Sequence, residues 1–108
     1  REAVQDAERH LQNCLRDAER RRDAALKWID TMENRCRGAC RQVYGPGGLR
    51  SWCEYSCVTA YGMMEGTVWA EHAGEIVGCY GIYTEELYIA WKVHCDPCPP
   101  GIPVGPKF

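Results

Sequence analysis

The placement of eight cysteines in a chain of 108 residues constrains this fold more than any other feature. They stand at positions 14, 36, 40, 53, 57, 79, 95 and 98, and an even number at this density reads as a disulfide framework formed in an oxidising compartment. Counting alone permits 105 connectivities. Geometry removes most of them. In two antiparallel helices joined by a short turn, residues level with each other have position numbers of constant sum, because one helix ascends as the other descends. Cys40 with Cys53 and Cys36 with Cys57 both sum to 93, which only restates that both spacings are four. Cys14 with Cys79 also sums to 93, so a third rung falls 22 residues further down both arms and tests the register independently. The centre of symmetry lies between Pro46 and Gly47, inside Gly45-Pro46-Gly47-Gly48, where Pro lacks a donor and Gly supplies unusual backbone angles. The expected pairs are Cys14–Cys79, Cys36–Cys57 and Cys40–Cys53, with Cys95 and Cys98 left for each other as a local disulfide or a free dithiol.

The segments on either side of that turn have the composition of helices. From Glu2 to Tyr44 there is no Pro and a single Gly, Gly38, among residues of high helix propensity. Val4, Ala7, Leu11, Cys14, Leu15, Ala18, Ala25, Ile29, Met32, Cys36, Cys40 and Val43 recur every three or four residues and form one apolar stripe. A 22-residue interval is two repeats of 11, at about 3.67 residues per turn, so Cys14, Ala25 and Cys36 lie along one line of a nearly straight helix. Ala7, Ala18, Ile29 and Cys40 form a second line beside it, and the mate line on the other arm is Cys57, Val68 and Cys79. The second arm again lacks Pro until Asp96-Pro97, and Ser51 followed by Glu54 has the spacing of a capping box. The fold class expected is therefore all-α: a long antiparallel helical hairpin over residues 1–94, cross-linked by disulfides, with helix one over about 2–44, a turn at 45–48 and helix two over about 49–94. Residues 95–108 read as an extended Pro/Gly-rich tail of polyproline character.

Cys36-x3-Cys40, twelve residues, then Cys53-x3-Cys57 resembles the twin CX3C hairpin of the plant α-hairpinin defence peptides and inhibitors, and of the small Tim chaperones of the mitochondrial intermembrane space. The resemblance covers residues 36–57. It implies a disulfide-stapled hairpin with either defence-peptide or protease-inhibitor activity, in which Arg50 would be the basic residue near the turn, or a holdase that binds unfolded apolar peptides.

Two helices enclose no centre, so a hairpin of this kind leaves apolar surface uncovered and is expected to self-associate into a larger bundle, in the manner of a coiled coil, or to join a larger protein partner. Helix two carries Tyr55, Tyr61, Trp69, Tyr80, Tyr83, Leu87, Tyr88 and Trp91, more than one facing helix covers. Gly62, Gly66, Ala70, Ala73, Gly74, Gly78 and Gly81 lie about 100° from its cysteine line. Interior glycines cost about 1 kcal/mol each relative to Ala, and two readings offset that cost. Either Gly62, Gly66, Gly74, Gly78 and Gly81, with Trp69, Tyr80 and Trp91, form a partner-binding groove for another helix, or the glycines relieve crowding by nearby Trp and Tyr rings within the hairpin. Arg22 falls opposite Glu71, with Glu75 one turn away, where the stripe is interrupted on both arms. The three are expected to form a polar layer that fixes register, with an ion- or ligand-binding pocket as the sharper alternative.

Charge and motifs narrow the functional classes. The formal net charge is -2, with ten Lys/Arg against eight Asp/Glu in residues 1–44 and three against seven in residues 45–108, so there is no overall basic footprint for nucleic acid. Arg20-Arg21-Arg22 is flanked by Glu19 and Asp23 and reads as a solvated face with helical ion pairs. No uncharged stretch approaches the roughly 20 apolar residues of a membrane span. The only serines, Ser51 and Ser56, sit in no acyl-transfer motif, and Glu85-Glu86 diverge by about 100° on a helix, so no enzyme is expected. His94-Cys95-x2-Cys98 offers three ligands without a second CxxC to close a zinc site, His10 and His72 stand alone, and neither metal nor cofactor is expected. The sequence opens without Met or a signal-peptide pattern, which is expected either of a chain whose leader has been removed or of one engineered to begin here. The function expected is that of a non-enzymatic, secreted or periplasmic structural or protein-interaction subunit.

Overall fold

The computed structural model describes residues 2–94, with the side chain of His94 excepted. It contains two helices and, among the described residues, no strand. Helix α1 spans Glu2–Val43 and helix α2 spans Gly48–His94, within a residue of the limits the propensities set. Cys95, Cys98 and the Pro/Gly-rich tail lie outside the described residues.

The turn begins as the end of α1, where the Tyr44 N–H donates to the Cys40 carbonyl at 2.9 Å. Gly47 then adopts φ 147°, a conformation that L side chains rarely tolerate, so a glycine is required there. Its carbonyl accepts from the Ser51 N–H at 3.1 Å, which starts α2 three residues before Ser51. The Ser51–Glu54 capping box is therefore not the helix start. Ser51 is already in the first turn, and Glu54 instead accepts from Arg41 Nε at 2.9 Å.

The chain divides into two compact units. Unit 2, residues 19–72, is the hairpin that contains the turn. Its arms are joined by Cys36–Cys57 and Cys40–Cys53, with Cα–Cα distances of 5.8 and 5.7 Å. The two bridges touch, since Cys40 Sγ and Cys57 Sγ lie 3.6 Å apart. Ile29, Cys40, Cys57 and His72 are its buried side chains.

Unit 1 combines residues 2–18 with residues 73–94 and holds the third bridge, Cys14–Cys79, at a Cα–Cα distance of 5.7 Å. Ala7, Leu11, Ala18, Cys79 and Ala90 are buried. Backbones this close favour small residues where the arms face each other, and alanine and cysteine supply four of the five buried side chains of unit 1, whereas unit 2 buries Ile29 and His72 beside its two cysteines. On α1 the line Ala7, Ala18, Ile29 and Cys40 is buried at every member, so the 11-residue period holds along the helix. The ends of the apolar stripe depart from it, because Val4 and Val43 are exposed.

Candidate partner-binding faces

The two helices have different outer faces. Among the described residues α1 exposes three large apolar side chains, Val4, Trp28 and Val43, and covers the rest of its outside with charge. Helix α2 exposes twelve, including Trp52, Tyr55, Met63, Trp69, Val77, Tyr80, Ile82 and Ile89. A helix apolar on all sides belongs in an interior, and one neighbour covers one side only.

In unit 2, Gly62 and Gly66 lie on this uncovered part of α2, and a Cβ built on either would meet nothing within 4 Å. In unit 1 the same holds for Gly74, Gly78 and Gly81. The crowding explanation is thereby overturned: no Trp or Tyr ring of this chain occupies the space beside these glycines. Of the aromatic residues grouped with them, Trp69 and Tyr80 are exposed and Trp91 is half-buried. Tyr61, Tyr83, Leu87 and Tyr88 are half-buried too, so the facing arm covers part of the aromatic surface and leaves the glycine side open.

In unit 2 the polar contact that Arg22 makes with α2 is to His72, not to the expected Glu71. Arg22 lies against Asp23 at 2.9 Å and Glu19 at 3.6 Å, and its guanidinium stands 5.0 Å from the centre of the Trp69 ring. Its Nη1 donates to His72 Nε2 at 3.3 Å. Because arginine only donates, Nε2 accepts and the imidazole proton sits on Nδ1, which is buried and has no partner among the described residues. Glu71 is exposed, and Glu75 is half-buried with an interaction of its own. His72, edge-on to Trp69 at 6.1 Å, is the buried polar residue. The signal for it was present: position 72 follows Val68 by four and precedes Cys79 by seven, the spacing of an inward-facing residue. A second contact outside the sequence reading lies in unit 1, where His10 Nδ1 meets Glu86 Oε2 at 2.8 Å.

The sulfurs of Cys40, Cys53 and Cys57 cluster within 4.8 Å, but each is in a disulfide and has no thiolate to offer a metal. An apolar groove of about 400 Å³ in unit 2 is lined by Ala25, Trp28, Ile29, Met64, Thr67 and Val68. Arg50 is half-buried. The three disulfides suit an oxidising compartment, and among the described residues no helix is long and apolar enough to cross a membrane. No protein-family model matches the chain, and no curated protein or solved structure matches it significantly.

Proposed function

We propose that this chain is a non-enzymatic structural or protein-interaction subunit of a secreted or periplasmic assembly, and that it binds its partner, or a second copy of itself, through the outer face of α2. The observation that carries this reading is the pairing of open glycines with exposed large apolar side chains on one helix, while the outer face of the other helix is charged. Burying side chains such as Met63, Val77 and Tyr80 stabilises by about 1.5–3 kcal/mol each, and glycines between them let a partner backbone approach closely. The disulfides fix the arms within each unit before binding, which lowers the ordering cost.

The test is a triple variant, Gly66→Ala, Gly74→Ala and Gly78→Ala. Since the added methyls meet nothing within this chain, the isolated protein keeps or gains stability, by up to about 1 kcal/mol per site. The same methyls push a partner helix away, so association is lost. Thermal midpoint and particle mass are measured on one sample, and an unchanged mass would sink the groove whichever way the midpoint moves.

A further inference from the structure

We infer that the disulfide-closed tip of unit 2, residues 41–55, is a docking surface for an anionic lipid bilayer, engaged at the headgroup level without spanning. The tip holds four large apolar side chains at high exposure: Val43 at 71%, Leu49 at 71%, Trp52 at 68% and Tyr55 at 61%. Trp52 and Tyr55 stack on each other, with ring centroids 5.9 Å apart. Val43 and Leu49 flank a turn made of Tyr44, itself exposed, Gly45, Pro46 and Gly47, and residues 42–49 contain no charged side chain. Trp and Tyr, each with an apolar body and a polar handle, partition to the interface between hydrocarbon and water.

Charge selects the kind of bilayer. Residues 34–55 hold four arginines, Arg35, Arg37, Arg41 and Arg50, against one carboxylate, Glu54, a net of +3. That carboxylate is shared, taking Arg41 Nε at 2.9 Å and Arg37 Nε at 4.0 Å. By the constant sum of 93, Arg50 stands level with Val43 and Arg41 level with Trp52, at the rim of the apolar apex, and Arg37 and Arg35 follow one to two turns further back on α1, so the guanidinium groups meet phosphate and carboxylate headgroups when the apex is immersed, and their long stems allow them to adjust. Cys40–Cys53 ties the two arms together within the tip, next to Trp52, so the surface is organised before it meets a membrane. This inference is independent of the glycine face, which lies further along α2.

The disulfide-intact chain is sedimented with vesicles of phosphatidylcholine alone and of phosphatidylcholine with about one-third phosphatidylserine. The expected result is about tenfold stronger partition to the anionic vesicles, weakened by salt, with a blue shift of tryptophan emission. The double variant Leu49→Ser with Trp52→Ser replaces exposed side chains only, so the helical signal is retained, and it should lose about nine-tenths of that partition. Met63→Ser, on α2 beyond the tip, and the triple alanine variant should sediment like the parent. Absence of sedimentation with the anionic vesicles overturns the inference and leaves the tip to a protein pocket. Equal partition to both vesicles, or parental partition of the Leu49/Trp52 variant, overturns it as well.

Discussion

Unit 1 and unit 2 use the same pair of helices and are held together by different means. Unit 2 is continuous through its turn, and its two bridges enclose segments of sequence separation 13 and 21. Unit 1 joins arms that are remote in sequence, through one bridge of separation 65. Its described residues carry seven carboxylates against three Lys/Arg, whereas unit 2 carries seven against eight. Unit 2 thus has local closure, near-balanced charge and a part-buried polar contact, while unit 1 has an alanine-rich core, net negative charge and a single covalent tie. A helix pair near its own turn needs little help to find its register. A helix pair far from it depends on the cross-link, because the entropy of bringing distant arms together grows with the enclosed length.

The largest effect should come from removing that tie. Replacing Cys14 and Cys79 together by Ala is expected to cost about 4 kcal/mol in the chain-entropy account, less whatever the inner bridges already restrain. Hydrogen exchange should rise across residues 2–18 and 73–94 and stay slow across 19–72; a uniform rise would erase the distinction between the units. Replacing Cys40 and Cys53 by Ala should cost less, about 2 kcal/mol, because Cys36–Cys57 still closes the same hairpin. Denaturant midpoints of the two double variants, compared under non-reducing conditions, reverse this order if local closure matters less than argued.

Smaller effects distinguish the polar contacts. Arg22→Met removes the guanidinium from the Trp69 ring and leaves His72 Nε2 buried without its donor, and should cost about 1–2 kcal/mol. Equilibrium unfolding followed by Trp69 emission measures it, and a gain in stability would show the polar layer to be a defect in unit 2. His10→Ala removes the contact to Glu86 in unit 1, where His10 is more than half exposed, so the cost should stay below about 1 kcal/mol. A loss as large as that of Arg22→Met would mean that unit 1 too relies on a polar contact.

The constant sum of 93 and the 11-residue lines were enough to place Cys14 against Cys79 and to bury Ala7, Ala18, Ile29 and Cys40 on one line. Both rest on distances along the chain, which a sequence records without loss. Side-chain direction is recorded less well. One residue turns a helix by about 100°, so a register rule accurate to a single position could point to Glu71 when the inward residue is His72. The Ser51–Glu54 spacing suited a helix start, yet the unusual φ of Gly47 had already begun the helix and Arg41 competed for the carboxylate. The glycines could be placed on a face but not assigned a purpose. Whether an added methyl strikes a ring depends on the rotamers of neighbouring aromatics, which spacing alone does not fix.

The 11-residue line on α1 also limits how such a chain can change in length. Inserting four residues into one arm turns everything beyond the insertion by about 40° and shifts the facing pairs out of level, so the cysteines at 14 and 79 would no longer meet. Inserting 11 into each arm restores both the facing direction and the rung. The protein is in this sense graduated, and variants that preserve its bridges should differ from it by whole elevens added or removed in matched pairs.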